Sequence, residues 1–127
     1  MRFRLKRILA WMPGGFLVVF SRVEIETEDE QGLVLDADGW RVAFDKRSQV
    51  VARSGRTVVS FSSVNSIDVK HFVNGKRMEW WVLSLALRGG RRITIGRSAN
   101  DAQVSIAAAH IAGVTGKPVR VVGGVGL

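Results

Sequence analysis

Residues 79–95 read EWWVLSLALRGGRRITI, and this stretch decides the fold class. Its alternating apolar side chains are Trp81, Leu83, Leu85 and Leu87 before the glycines, and Ile93 and Ile95 after them. A period of two places such side chains on one face of a β-strand. Gly89-Gly90 stands between the two halves, and glycine adopts the positive φ angles that a tight hairpin requires. The stretch therefore predicts an antiparallel hairpin whose first strand turns Trp81 toward the core and Trp80 away from it.

The preceding chain repeats this pattern in shorter segments. The turn signals that separate the segments are Asp38-Gly39, Asp45-Lys46-Arg47, Ser54-Gly55 and Asn74-Gly75. The apolar residues between the turns are Val42 and Phe44, Val50 to Ala52, Val59 and Phe61, and Ile67, Val69 and Val73. An earlier alternation between Phe16 and Glu26 indicates a first strand there. We therefore expect a succession of half-buried antiparallel strands.

The hydrophobic period changes after residue 98. Residues at helical spacing are Val104, Ala107, Ala108, Ile111 and Val114. Residues 98–101 offer N-cap candidates, and Gly116 and Pro118 are stop signals. The sequence therefore predicts one C-terminal helix near residues 100–115, with an alanine-rich face that suits close packing over the open end of a small barrel. The tail VRVVGGVGL, residues 119–127, is compatible with a final edge strand.

Length, charge and cysteine content limit the classes of protein to which this chain can belong. The 127 residues fit one domain with a single core. The sequence contains no cysteine, which excludes a disulfide framework, a thiolate metal site and a cysteine nucleophile. Residues 1–22 carry five of the basic residues and no acid, so much of the net charge of +8 is concentrated there. The acidic run of residues 24–30 follows directly, and we expect the two segments to neutralise each other in part.

The first 22 residues, MRFRLKRILAWMPGGFLVVFSR, raise the question of membrane association. The stripe of Leu5, Ile8, Leu9 and Met12 predicts an amphipathic basic helix over residues 2–12, although the alternation in RFRLK also permits a strand. The apolar run from residue 8 to residue 20 is 13 residues long and is broken by Pro13-Gly14-Gly15. A bilayer span needs about 20 residues.

No small-residue cleavage site follows this apolar run, so we expect a segment that neither spans a membrane nor is cleaved. The candidate contacts with an anionic membrane surface are Arg2, Arg4, Lys6, Arg7 and Trp11. Packing of the same apolar stripe on the fold or on a second subunit is the open alternative.

A family resemblance rests on four features of residues 33–122: GWRVAFD, VVARSGRTVVSFSSVNSI, EWWVLSLALRGGRRITI and NDAQVSIAAAHIAGVTGKPV. A meander of short antiparallel strands closed by one C-terminal helix resembles the PH-like barrel, and specifically the small bacterial PH-like domains. The resemblance implies a mainly β (α+β) fold, an antiparallel barrel or roll of about seven strands capped by one helix. We expect residues 1–32 to hold the basic amphipathic helix and the first strand, residues 33–122 to form the PH-like domain, and residues 123–127 to be a flexible tail.

No catalytic signature accompanies the resemblance. His71 and His110 stand alone in their segments, which does not predict a metal site, and no G-x-S-x-G nucleophile motif occurs. We expect His71 to be a hydrogen-bonded, mostly buried imidazole. Basic residues near hairpin tips and one outward tryptophan are the candidate contacts for a ligand or partner: Lys46, Arg47, Lys76, Arg77, Trp80, Arg91 and Arg92. In a meander, Lys46-Arg47 and Arg91-Arg92 would lie at one end, and a further basic pair, Arg53 with Arg56, would lie with Lys76-Arg77 at the other.

The resemblance implies a binding or scaffolding role. We therefore expect a non-enzymatic module without a cofactor or a small-molecule substrate. It would act through a protein partner or self-association in the cytoplasm, peripheral to the inner membrane surface if residues 2–12 bind lipid. The alternative is a nucleic-acid-binding domain that uses the basic tips and the exposed tryptophan, because bases stack on indole faces beside cations.

Overall fold

The computed structural model describes residues 21–75 and 78–126. The described residues form nine strands, β1 (Val23–Asp29), β2 (Gly32–Ala37), β3 (Trp40–Asp45), β4 (Val50–Arg53), β5 (Arg56–Ser60), β6 (Val64–Val73), β7 (Glu79–Leu87), β8 (Arg92–Ser98) and β9 (Val119–Gly126), and one α-helix, α1 (Asp101–Thr115). Short 3₁₀ turns lie at Phe61–Ser63 and Arg88–Gly90. The prediction of a mainly β fold with one C-terminal helix is confirmed.

The strands form two separate sheets. The first sheet has the order β1-β2-β3-β4-β5 and is antiparallel throughout. The second sheet has the order β8-β7-β6-β9, in which β9 pairs with β6 in parallel. The expected count of about seven strands is wrong: the described residues form nine, which include β2, where no strand was predicted, and β9, which returns to the second sheet after the helix. Among residues 21–75 and 78–126 no strand joins the two sheets, so the described strands do not close a barrel.

Two tight turns set the register of the first sheet. Asp38 and Gly39 have φ angles of 55° and 88°, and they join the paired residues Ala37 and Trp40. Ser54 and Gly55 do the same for β4 and β5, with φ angles of 51° and 82°. Two consecutive positive φ angles fit the type I′ turn, whose twist matches that of the flanking strands. Both pairs were recognisable as turn signals in the sequence.

The core lies between the two sheets and the helix. Its largest fully buried side chains are Phe44, Leu33, Leu35, Ile67, Leu83, Leu85, Ile111, Val23, Val42, Val51, Val64 and Val104. Trp81 and Leu87 are half-buried and pack against this cluster. The predicted inward row of β7 is therefore confirmed. Phe61 is buried as well, although it lies in a 3₁₀ turn and not in the strand that the alternation indicated.

The helix begins and ends at the predicted signals. The Asn100 side chain accepts a hydrogen bond of 2.9 Å from the backbone N–H of Ala102, as an N-cap does. Gly116 ends the helix in the left-handed conformation with a φ angle of 74°. The helix buries Val104, Ala107, Ala108 and Ile111 and contacts strands of both sheets. The alanines allow this close approach.

The C-terminal end of the fold differs from the predicted boundary, and most of the predicted N-terminal segment lies outside the described residues. β9 extends to Gly126, so most of the segment assigned to a flexible tail belongs to a strand. The predicted helix over residues 2–12 and the strand residues before Ser21 lie outside the described residues. In the described part of the chain, α1 is the longest helix, and no helix there has the length and apolarity needed to cross a bilayer.

Candidate functional site

A cleft opens beside a contact between β8 of the second sheet and β2 of the first. Gly96 of β8 faces Ala37 of β2, and a methyl group added at Gly96 would lie 3.0 Å from the Ala37 side chain. The cleft beside this contact has a volume of about 520 Å³. We call it the aromatic cleft and define it by three aromatic and two basic lining residues: Trp40, Phe72, Trp80, Arg53 and Arg97.

Sheet register places these side chains. Trp40 is the first residue of β3, directly after the Asp38-Gly39 turn, and 46% of its surface is exposed. Phe72 and Trp80 are opposite each other on β6 and β7, and their rings stack with centroids 5.6 Å apart. Such offset pairs of rings are favourable beyond the area they bury. The aromatic cleft therefore has a preformed apolar wall of two stacked rings.

Two arginines, one from each sheet, also line the cleft. Arg53, the last residue of β4, donates a hydrogen bond of 2.6 Å from Nη2 to the carbonyl oxygen of Thr94 in β8. This bond ties the first sheet to the second. Arg97 is opposite Val82 in the β7–β8 ladder and forms no ion pair with any described residue. A guanidinium group without an ion pair can bind an anionic or planar group, and Asp38 is the one acidic residue among the described residues that line the same cleft.

Among the predicted contact residues that the structure describes, one belongs to the aromatic cleft. Trp80 lines it and is half-buried, whereas Trp81, also half-buried, packs against the core. Lys46 and Arg47 are exposed in the β3–β4 turn and do not line it. Lys76 and Arg77 lie outside the described residues. Arg91 and Arg92 line other clefts, near the turn between β7 and β8.

Sequence reasoning missed three residues of the cleft, Trp40, Phe72 and Arg97, and it noted Arg53 only as a basic residue near a hairpin tip. The aromatic position directly after Asp38-Gly39 was visible as a local signal, because a residue that follows a tight turn stands at the end of the sheet. No local signal connected it with Phe72 and Arg97, since these belong to the other sheet.

A second polar arrangement connects β6 with β8 and β9. The Asp68 side chain is fully buried and accepts hydrogen bonds from Ser66 Oγ (2.8 Å), Arg92 Nη2 (3.1 Å), Arg120 Nε (3.1 Å) and Arg120 Nη2 (2.7 Å). The hydrogen bonds from Arg120 are the main reason why the pKa of Asp68 is lowered, and they outweigh the opposing effect of burial. Asp68 is therefore a carboxylate that joins β6, β8 and β9.

The two histidines occupy separate sites. His71 stacks on Trp81 with ring centroids 4.5 Å apart, and its Nε2 lies 3.0 Å from Glu79 Oε2. The expected hydrogen bond is present, but 29% of the side chain is exposed, so His71 is only partly buried. His110 of α1 pairs with Glu28 of β1. Among residues 21–75 and 78–126 no three potential metal-binding side chains come together.

Comparison of the chain with known protein families, with curated proteins and with solved structures finds no match.

Proposed function

We propose that this protein is a non-enzymatic binding module that holds a segment of a partner protein in the aromatic cleft. The observation that carries the proposal is the pairing of a stacked apolar wall, Phe72 and Trp80, with the guanidinium group of Arg97 in one preformed cleft. Buried aromatic anchors and arginine are the residue types that contribute most to protein interfaces. We place the module in the cytoplasm.

The cleft suits a short peptide with one apolar and one acidic side chain. An apolar side chain would pack between Trp40 and the Phe72–Trp80 wall, and a carboxylate would accept hydrogen bonds from Arg97. The Arg53 side chain already donates a hydrogen bond to the Thr94 carbonyl oxygen, so it shapes the wall of the cleft and adds positive charge to it. Because the turn, the stacked rings and the bond between Arg53 and Thr94 fix the cleft, little conformational entropy would be lost on binding.

We also propose that the architecture is PH-like. Antiparallel strands in two sheets followed by a helix that packs on both support this assignment. β1 and β9 would then be additions to the minimal domain, before its first strand and after its helix. Fold alone does not fix the ligand, so the cleft carries the functional proposal.

Selection of short random peptides displayed on phage, with the full chain as bait, tests the function. The recovered peptides should quench tryptophan fluorescence, and Trp40→Leu and Arg97→Gln should each weaken binding by about tenfold or more, as interface anchors do. Lys46→Gln is the matched control outside the cleft and should leave affinity unchanged. Failure to recover any peptide whose binding depends on Trp40 or Arg97 would refute the proposal.

Single-stranded nucleic acid is the second candidate, favoured by the neighbouring tryptophans and arginines of the same cleft. A thymidine oligonucleotide would stack on Trp40 or Trp80, and its phosphates would contact Arg53 and Arg97. Such binding would weaken steeply with added salt. Salt-dependent binding of the oligonucleotide that Trp40→Leu abolishes, together with no recovered peptide, would favour this candidate.

Residues 2–12 carry the proposal of peripheral membrane association. Their four basic residues would each contribute about 1 kcal/mol of attraction to an anionic surface. Deleting residues 2–12 should abolish binding to acidic liposomes at low salt while the domain stays folded. Unfolding of the truncated protein, with no liposome binding by the full chain, would instead make the segment structural.

A further inference from the structure

A cluster of arginines surrounds the turn between β7 and β8, away from the aromatic cleft. One cleft of about 230 Å³ is lined by Arg88, Arg91 and Arg92, and a neighbouring cleft of about 220 Å³ by Arg91, Arg92 and Arg120. We call these four residues the arginine cluster. No acidic residue of the described ranges 21–75 and 78–126 lines either cleft, and Ser63, Asn65 and Ser66 add polar side chains to their walls.

Asp68 orients two members of the cluster. The Nη2 atoms of Arg92 and Arg120 lie 3.1 Å and 2.7 Å from the same carboxylate oxygen, Oδ2. Both guanidinium groups are therefore held side by side, although 41% and 59% of the two side chains remain exposed. A guanidinium group has five N–H donors, so each retains donors that do not point at Asp68. This arrangement is preorganised for an acceptor on the solvent side.

The charge of the cluster is only partly compensated. Asp68 offsets one of the four positive charges, and neither Arg88 nor Arg91 pairs with an acid in the described part of the chain. Like charges at such short range repel one another, which a bound anion would relieve. A phosphate monoester carries a charge of about −1.5 to −2 at pH 7 and offers three oxygens, which match forked guanidinium donors.

We propose that the arginine cluster is a binding site for a dianionic phosphate group, either free inorganic phosphate or the phosphate monoester headgroup of a lipid. Arg92 and Arg120, fixed by Asp68, would contact the group from one side, and Arg91 and Arg88 would close on it from the turn. The site is separate from the aromatic cleft and does not depend on the function proposed for it.

Titration of the full chain with inorganic phosphate, followed by ¹⁵N-edited NMR at fixed ionic strength, tests the site. Amide shifts should concentrate at residues 88–92 and 120. The double variant Arg88→Gln/Arg91→Gln should lower the affinity by about tenfold, since two charge-assisted contacts are lost. The double variant Lys46→Gln/Arg47→Gln removes the same charge from an exposed turn and should lower it by less than about twofold.

Vesicles distinguish the two sources of the phosphate group. Phosphatidylcholine vesicles that contain phosphatidic acid present a monoester, whereas those with phosphatidylserine present a diester of similar surface charge. Stronger binding to phosphatidic acid that is lost in Arg88→Gln/Arg91→Gln assigns a lipid headgroup, and NMR shifts with free phosphate alone assign a soluble ligand. The proposal is overturned if neither phosphate nor phosphatidic acid binds, or if the two double variants reduce binding equally.

Discussion

Asp68→Asn is the most informative single substitution, because it removes the charge that holds β6, β8 and β9 together and keeps the size of the side chain. Asp68 accepts three hydrogen bonds from guanidinium groups. Even in its better orientation, the asparagine amide would turn its NH₂ group toward Arg120 Nε and lose that bond. The bonds that remain at the oxygen would be made to a neutral acceptor and would be about half as strong.

The expected cost follows from these contacts. Hydrogen bonds to charged groups contribute about 1.5–3 kcal/mol each, and the substitution removes the equivalent of about two of them. Water can solvate the partly exposed arginines once they are released, so the lower end of the range applies. We therefore expect Asp68→Asn to reduce the free energy of unfolding by about 3 kcal/mol at pH 7.

Urea unfolding at a series of pH values provides the test. The lowered pKa of Asp68 means that its contribution to stability is present above its ordinary pKa of about 4 and is lost as the pH falls through the lowered value. The stability difference between wild type and Asp68→Asn should therefore be greatest above about pH 5 and shrink below about pH 4.

Glu26→Gln is the control for this experiment. It neutralises a carboxylate whose partner, Arg41, lies 3.0 Å away at the protein surface, so it should cost less than about 1 kcal/mol. The reasoning is refuted if Asp68→Asn costs no more than Glu26→Gln at pH 7, or if its effect does not diminish in acid.

Two further predictions concern the scaffold. Gly32→Ala should cost at least about 3 kcal/mol, because the new Cβ would lie 1.9 Å from the Phe44 carbonyl oxygen and the backbone would have to move. Gly55 also has a positive φ angle but has open space around it, so Gly55→Ala should reduce the free energy of unfolding by only about 1 kcal/mol. Equal denaturation midpoints for the two variants would contradict this account. Trp81→Ala should reduce the free energy of unfolding by about 3 kcal/mol, which is the lower end for aromatic truncations because the side chain is half-buried. An unchanged midpoint in urea would show that the residue does not support the core.

Local signals determined most of the secondary structure. The alternation in residues 79–95 specified β7 and β8, and the helical spacing from Val104 to Ile111 specified α1 with its ends at Asn100 and Gly116. These signals work because strand faces, helix faces and caps depend on residues only a few positions apart.

Such signals did not determine the strand count. The alternation at Val23 and Ile25 indicated β1, and the glycines of β9 left it only compatible with an edge strand. β2 was not recognised, because it is buried at nearly every position and lacks the alternation of a half-buried strand. β9 is stabilised by parallel pairing with β6, which depends on the path of the chain after α1.

Both candidate sites were decided by tertiary structure. Trp80 was recognisable from its place in the alternation, but the aromatic cleft also needs Trp40 from the other sheet. Arg120 reaches Asp68 across 52 positions of sequence, because β9 lies beside β6. Sequence pattern assigns each side chain to a face of its own strand, whereas the pairing and packing of distant strands decide which faces meet, and the shared hydrophobic core determines that packing.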